Sequence, residues 1–264
     1  MKAFTYLTPG SAEEAVGLLG QHGPQAQVIA GGQSLLLAMK TRTARPSALV
    51  SLAGVDDLAG VRLAASGELV VGATTTYAAL SRAPLTGWHT EIAAVAGNLA
   101  DRPVRTMGTI GGALCDAGPR YDMLTLVTGT GARLEVLGPS GVRTLSPGEF
   151  FAPGGGTTLA ADEILAAIRF PAADAFTRVV FAKFRQRTFD AALASVLCAA
   201  RPGNGGVQIT VGAVRPVPVV ATAADPEAVA AEVLDAAGGP PLVQYQRELV
   251  RTLTAQTLST VNGS

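Results

Sequence analysis

VIAGGQS at Val28–Ser34 and GTIGGA at Gly108–Ala113 are the stretches that decide the fold of this chain. Each places a glycine pair after apolar or β-branched residues, which predicts a buried strand that ends in a tight turn. A turn of this kind exposes backbone N–H groups, and a concave row of N–H groups favours an anion. Together the two segments predict one site that holds a diphosphate group.

The two glycine pairs match neither of the common phosphate-binding patterns. The mononucleotide loop needs a lysine followed by serine or threonine after its last glycine, and the dinucleotide fingerprint needs G-x-G-x-x-G. A single glycine pair is more typical of an ordinary turn or β-bulge, and that alternative stays open for each segment taken alone. Polar groups nearby favour the anion site, because Gln33 and Ser34 follow the first pair and Asp122 lies downstream of the second.

Composition indicates a globular chain with no bias toward nucleic acid or membranes. Its 264 residues are 48% hydrophobic and 15% charged, which suits one large domain or two modest ones. Lysine plus arginine and aspartate plus glutamate both number 20, so no global field attracts nucleic acid or an anionic membrane surface. We therefore expect neither partner.

Metal and hydrolase chemistry find little support in the sequence. Cys115 and Cys198 are the only cysteines, too few for a disulfide framework, a structural zinc site or an all-cysteine iron–sulfur cluster. His22 and His89 lack an acid or base at a telling spacing, which favours surface or capping roles. No metal site and no catalytic residue are assigned. The start of the chain shows no leader pattern and no apolar run reaches spanning length, so we expect a cytoplasmic protein.

A small α/β unit and a second, larger α+β unit are predicted before Pro171, where the pattern breaks. The first ends near residue 54, and in it Ser11 caps a helix that runs through Leu19. The other elements predicted in these two units are strands at 4–7, 28–30, 48–52, 61–63 and 68–73, helical segments at 35–40, 77–80, 91–99 and 122–129, and a hairpin of 132–137 with 142–145. Residues 163–170 mix strand and helix signals.

A sheet covered by helices is predicted after Pro171. Residues 179–186 alternate apolar and polar positions, 191–200 are apolar, and 207–211 follow a glycine-rich turn. Residues 226–237 and 244–258 have helical periodicity and are expected to pack on one face of that sheet.

Several segments in chain order carry a resemblance to a known family. They are AGGQSLL with MK (Ala30–Leu36, Met39–Lys40), VRTMGTIGG (Val104–Gly112), LSPGEFF (Leu145–Phe151), DEIL (Asp162–Leu165), KFR (Lys183–Arg185) with Asp190, and AVRPVP (Ala213–Pro218). In this order they resemble the FAD-binding medium subunit of molybdenum hydroxylases, a family that includes carbon monoxide dehydrogenase and xanthine dehydrogenase. The match covers nearly the whole chain, which makes it far more specific than either glycine pair.

That resemblance implies a fold and a cofactor. The fold is α+β: a two-subdomain FAD-binding domain of the vanillyl-alcohol-oxidase (PCMH) type over 1–170, with subdomains 1–54 and 55–170, and then a C-terminal α+β domain over 171–264 with a small antiparallel sheet and helices. The implied cofactor is FAD. The implied cofactor-binding residues are Ala30, Gly31, Gly32, Gln33, Ser34, Leu35, Thr109, Gly111, Gly112, Ala113, Cys115, Asp122, Leu165, Lys183 and Asp190.

Within that set the resemblance implies different roles. The loops at 30–34 and 109–113 hold the diphosphate, and Asp122 meets the ribose or ribityl hydroxyls. Leu165, Lys183 and Asp190 lie near the isoalloxazine, where a lysine favours the anionic reduced flavin. An alternative is open for Lys183, because it alternates along a strand with Arg185 and Arg187 and such a row is also typical of a solvated face or partner surface.

This chain also departs from the pattern of the family it resembles. Family members commonly carry Ala-His-Ala-Asp-Pro where this chain has Cys115–Pro119, and an aromatic residue is often found where Ala191 stands. Cys115 is expected close to the cofactor, although a lone cysteine with apolar neighbours is more often an inert core residue.

The resemblance implies an FAD-binding oxidoreductase subunit that relays electrons to an external acceptor. Since the chain has neither the length nor the cysteines for a molybdopterin site and two iron–sulfur clusters, a molybdopterin-binding large subunit and an iron–sulfur small subunit are the expected partners. The departures motivate an alternative, a stand-alone FAD-dependent oxidase or dehydrogenase that acts directly on a small organic substrate.

Overall fold

The computed structural model of the protein describes residues 3–203, 205–235 and 244–263. Its strands form three sheets, and the chain builds them in order from its amino-terminal end. None of the helices within these ranges combines the length and the apolar character that a bilayer crossing requires.

A small parallel sheet with its helices comes first, where the sequence predicted a small α/β unit. Its strands, in the order β1-β3-β2, are β1 (Thr5–Leu7), β2 (Ala26–Ile29) and β3 (Ala48–Ser51), and its helices are α1 (Ala12–His22) and α2 (Leu35–Lys40). Helix α1 begins where predicted, because the Ser11 side chain accepts a hydrogen bond from the backbone N–H of Glu14. It buries Val16 and Leu19 against the sheet, and this leaves the end of β2 and the following glycine loop at the edge.

A five-stranded antiparallel sheet forms the middle of the chain. Its strands, in the order β4-β5-β8-β6-β7, are β4 (Val61–Leu63), β5 (Leu69–Gly72), β6 (Arg133–Gly138), β7 (Gly141–Leu145) and β8 (Ile164–Phe170). The helices around it are α3 (Tyr77–Leu80), α4 (His89–Gly97), α5 (Arg102–Met107), α6 (Ile110–Asp116), α7 (Asp122–Thr130) and α8 (Pro147–Phe150). The hairpin of β6 and β7 is confirmed, and the ambiguous stretch at 163–170 is the central strand β8.

A four-stranded antiparallel sheet follows, again as predicted. Its strands, in the order β12-β11-β10-β9, are β9 (Arg178–Phe184), β10 (Ala194–Ala200), β11 (Val207–Gly212) and β12 (Val219–Ala221), and its helices are α9 (Pro226–Asp235) and α10 (Gln244–Asn262). Residues 236–237 of the predicted helix lie outside the described residues.

The two faces of this last sheet have different neighbours. Val196 and Cys198 of β10 pack into a core with α9 and α10, whereas Leu197 and Ala199 point the other way and pack with α7 in the core of the middle sheet. Because residues alternate along a strand, one strand serves two cores. Helix α7 thereby packs against β10 and β11, and Asp122 at its start reaches Lys183 of β9.

The prediction that the second glycine pair follows a buried strand is wrong. Gly111 and Gly112 do not end a buried strand: they lie in the first turn of α6, and the residues before them form helix α5. The Thr109 side chain caps α6 by accepting from the backbone N–H of Gly112, so a threonine N-cap outweighs the low helix propensity of two glycines.

The prediction of a surface or capping role for His89 is also wrong. The residue is buried, with its ring 2.7 Å from the carbonyl oxygen of Pro171.

Candidate cofactor site

One cavity of about 650 Å³ lies where the loop after β2, helix α6 and the ends of α7 and β9 meet. The predicted site residues on its wall are Ala30, Gly31, Gly32, Gln33, Ser34, Leu35, Thr109, Gly112, Ala113, Cys115, Asp122, Lys183 and Asp190. Residues that are far apart in sequence are therefore brought together around a space in the size range of small-molecule and cofactor sites, roughly 300–1,000 Å³.

Gly111 and Leu165 are the predicted site residues that do not line this cavity. A Cβ on Gly111 would lie 2.6 Å from both the Cβ and the carbonyl oxygen of Ala73, so this glycine is needed for the contact between α6 and the end of β5. Leu165 is buried in β8, within the core of the middle sheet. Both residues lie behind the cavity wall rather than on its surface.

The loop after β2 is wedged against the end of helix α5. A Cβ on Gly31 would lie 2.1 Å from the carbonyl oxygen of Met107, which is a steric clash, so only glycine fits at this position. Gly32 has a φ of 68°, in the left-handed region that favours glycine. The N–H groups of Gly31, Gly32, Gln33 and Ser34 make no hydrogen bond with any described residue. Four successive donors on the cavity wall are thus available to a ligand.

The start of α6 differs, because its N–H groups already have partners in the chain. Ile110 donates to the carbonyl oxygen of Thr75 at 3.1 Å and Gly111 to that of Ala73 at 2.8 Å. Gly112 donates to the Thr109 hydroxyl oxygen at 3.1 Å. That hydroxyl keeps its own hydrogen, so Thr109 can still donate one hydrogen bond toward the cavity that it lines.

An ion pair between Asp122 and Lys183 closes one side of the cavity. The side chains are 2% and 7% exposed, and the lysine ammonium donates to Oδ2 of Asp122 and to the carbonyl oxygen of Asn98, the latter at 3.1 Å. Oδ1 of Asp122 is buried and makes no hydrogen bond with any described residue. Burial raises the pKa of Asp122, and the charges of Lys183 and Arg185 hold that rise back. Lys183 is thus not part of a solvated row of basic residues.

Cys115 lines the cavity on the inner side of α6. Its side chain is exposed to the cavity, but protein atoms crowd around it and this burial raises the pKa of the thiol to about 12. Since a thiolate is the nucleophilic and metal-binding form, the neutral thiol is a poor nucleophile here. Cys115 is therefore no core residue, because it lies on the cavity wall, and its role toward a cofactor stays a prediction.

The cavity wall also includes residues that the sequence did not predict, among them Tyr77, Arg120, Tyr121 and Phe189. The Arg120 guanidinium donates to the carbonyl oxygens of Ala191 and Ala192, both at 2.6 Å. The Tyr121 hydroxyl donates to Asp116 at 2.8 Å. Both contacts start in the stretch just after α6, and only the departure of residues 115–119 from the resembled family marked this region.

Comparison with known proteins gives one consistent result. A family model described as the FAD binding domain in molybdopterin dehydrogenase matches residues 2–173. The carbon monoxide dehydrogenase medium chain of Hydrogenophaga pseudoflava is 36% identical over 205 residues, which are 77% of this chain and 71% of that protein. The xanthine dehydrogenase FAD-binding subunit of Escherichia coli O157:H7 is 30% identical over 222 residues, 81% of this chain and 75% of that subunit.

Solved structures show the same similarity over the full length. A chain of the Hydrogenophaga pseudoflava carbon monoxide dehydrogenase that lacks the Mo-pyranopterin moiety superposes with a TM-score of 0.88 at 30% identity, covering 98% of this chain and 97% of that one. A chain of quinoline 2-oxidoreductase from Pseudomonas putida 86 gives a TM-score of 0.85 at 28% identity, covering 100% and 99%. Fold and sequence point to the same group of proteins.

Proposed function

Because this chain belongs to the family of FAD-binding domains of molybdopterin dehydrogenases, we propose that its cavity is the FAD site and that the chain relays electrons between partner subunits and an external acceptor. It is an FAD-binding oxidoreductase subunit of the molybdenum hydroxylase type.

The four unpaired N–H groups of Gly31–Ser34 carry the assignment of the diphosphate. Unpaired donors on a cavity wall cost stability unless a ligand or water satisfies them, and a doubly charged diphosphate accepts several such hydrogen bonds at once. The Thr109 hydroxyl lies on the same cavity and adds one donor from the facing segment. We assign the diphosphate mainly to the N–H groups of the first segment. The second segment forms part of the cavity wall and contributes the Thr109 hydroxyl.

The ion pair of Asp122 and Lys183 is assigned to the polyol and ring end of the cofactor. Oδ1 of Asp122 is buried without a hydrogen-bond donor, and a ribityl hydroxyl can donate a hydrogen bond to it. Lys183 places a positive charge beside this end, and the carboxylate of Asp122 partly balances it. When bound, FAD supplies the capacity to accept electrons in pairs or singly and to pass them on. Asp190 lies on the same cavity and is assigned to the same end.

A partner that binds molybdopterin and a partner that carries iron–sulfur clusters are proposed to act with this chain. Its two cysteines are fewer than the four ligands of an iron–sulfur cluster, so such a cluster would belong to another chain. The relatives are called medium chains or FAD-binding subunits, names that themselves describe one part of a larger enzyme. In this assignment the substrate is oxidised in a partner subunit, and the cofactor in the cavity of this chain only transfers electrons.

The absorption spectrum of the purified full chain tests the proposal. We expect flavin bands and release of FAD on denaturation. We also expect Gly32→Val to abolish FAD uptake, because a side chain there is strained at a φ of 68° and its Cβ would lie 3.0 Å from Cδ1 of Leu36, so the loop must change its conformation. Gly54→Val is the matched control, since no atom lies within 4 Å of a Cβ placed there and the residue is outside the cavity. A colourless chain that takes up no added FAD would contradict the proposal.

A further inference from the structure

The loop between β9 and β10 brings an exposed aromatic ring to the cavity. Phe189 lies in this loop, lines the cavity and is 62% exposed. Among the large hydrophobic side chains that are exposed in the described part of the chain, it is the one on the cavity wall. An apolar ring left open to a ligand cavity gains free energy when a ligand covers it.

Arg120, in the stretch between α6 and α7, holds this loop in place. Its guanidinium donates from Nε to the carbonyl oxygen of Ala192 and from a terminal nitrogen to that of Ala191, both at 2.6 Å. The loop is also closed at its base, where Leu193 N–H donates to the carbonyl oxygen of Phe184 at 2.8 Å. Two charge-assisted hydrogen bonds of this kind fix a backbone firmly, and Phe189 lies only two residues before Ala191.

The other aromatic rings on the wall are less available. Tyr77 is 8% exposed, and burial raises the pKa of its phenol. Tyr121 is held by its hydroxyl on Asp116, and its ring lies so close to Gly118 that a Cβ there would be 2.7 Å from Cε2. Phe189 has no polar atom to engage, so a flat ligand ring is the contact that suits it.

Position decides which ring of the cofactor Phe189 meets. Arg120 is two residues before Asp122, so the clamped loop lies at the Asp122 and Lys183 end of the cavity. Resting on the proposed function, we propose that Phe189 stacks on the isoalloxazine ring of FAD and that Arg120 is a positioning residue that holds the loop for this contact. The aromatic face thus comes from position 189, whereas position 191, where the resembled family often has an aromatic residue, is alanine.

Binding of three ligands to Phe189 variants tests the stacking contact. We expect Phe189→Leu to weaken FAD and FMN binding by about two- to tenfold, because an aromatic pair is lost, and to leave ADP binding unchanged. Phe189→Tyr keeps the ring and is expected to bind all three ligands like the wild type. Phe4→Leu makes the same change at an exposed phenylalanine outside the cavity and serves as the control.

Each other outcome of the ligand series overturns the contact. Weaker ADP binding with unchanged FMN binding would place Phe189 at the adenine end, and unchanged binding of all three ligands would remove it from the site. Wild-type chain that binds no FAD would refute the proposed function instead, so the two failures are distinguishable. Isothermal titration calorimetry measures all three ligands in the same way.

The role of Arg120 is tested by combining substitutions. Arg120→Met removes both hydrogen bonds, and we expect it to weaken FMN binding about as much as Phe189→Leu, with Arg120→Lys in between. If Arg120 acts through Phe189, the double variant binds FMN no more weakly than Phe189→Leu alone. Additive losses would show that Arg120 acts independently, and would overturn its assignment as a positioning residue.

Discussion

The two glycine pairs look alike in sequence and differ in almost every structural respect. Gly31 and Gly32 lie in a loop after a strand, with one glycine pressed against the Met107 carbonyl and the other at a positive φ. Gly111 and Gly112 lie in the first turn of helix α6, where their N–H groups donate hydrogen bonds to oxygen atoms of Ala73 and Thr109. The first pair offers donors to a ligand, whereas the second pair uses its donors to build the wall.

This difference shows that glycine serves two purposes around one cavity. In the first segment its lack of a side chain frees a row of N–H groups and lets the loop approach α5. In the second segment Gly111 permits α6 to lie directly on the end of β5, which sets the distance between the two walls. Substitutions in the first segment should therefore affect FAD binding, and those in the second mainly stability.

Gly31→Ala is expected to have the largest effect. The new Cβ would lie 2.1 Å from the Met107 carbonyl oxygen, and backbone must move to relieve this contact. We expect a loss of about 3 kcal/mol in the free energy of unfolding, together with at least about tenfold weaker FAD binding. Urea unfolding and FAD titration measure the two effects. Gly54→Ala, made in open space, should change neither, and a Gly31→Ala chain that binds FAD normally would refute the donor role of this loop.

Gly111→Ala separates stability from FAD binding. Its Cβ would lie 2.6 Å from Ala73, so we expect a loss of about 2 kcal/mol in the free energy of unfolding. The folded fraction should still bind FAD with nearly normal affinity, because Gly111 does not line the cavity. Urea unfolding and FAD titration at a temperature where the variant is folded decide this. Loss of FAD binding without loss of stability would make the second pair a ligand site like the first.

Thr109→Val tests the smaller contribution of the second segment to the ligand. Valine has the same shape as threonine but neither caps α6 nor donates a hydrogen bond, so we expect a loss of about 1 kcal/mol in stability and a few-fold weaker FAD binding. Thr109→Ser keeps the hydroxyl and is expected to behave like the wild type. If valine leaves FAD affinity unchanged while stability falls, Thr109 is a helix cap alone.

Local sequence signals predicted most of the fold. The Ser11 cap, the turn between β6 and β7 and the apolar strand β10 are encoded by neighbouring residues, and the structure has each of them. Helix α6 was missed because two glycines favour a turn, and it is the contacts with Thr75 and Ala73 that hold its start. Tertiary contacts of this kind leave no trace in a short window of sequence.

The candidate site was predictable as a list of residues but not as a set of contacts. Asp122 and Lys183 were assigned to the cofactor separately, and nothing in the sequence indicated that they pair with each other across helix α7 and strand β9. The clamp from Arg120 to Ala191 was equally invisible, since it joins two loops that are distant in the chain. Long-range pairs depend on how the sheets pack, which periodicity does not describe.

The labelling rate of Cys115 tests how tightly protein atoms pack around its thiol on the cavity wall, and it is expected to have the least influence on stability or FAD binding. Because crowding by protein atoms raises the pKa of the Cys115 thiol, a smaller fraction of it is ionised at pH 8 than of an ordinary cysteine, so iodoacetamide should label it more slowly than free cysteine. Peptide mapping distinguishes Cys115 from the buried Cys198, and labelling in urea shows that both thiols are competent. Because ionisation rises with pH, the rate should keep increasing beyond pH 9 rather than levelling off there. Labelling at pH 8 as fast as that of free cysteine would mean that the cavity wall does not raise the pKa of this thiol.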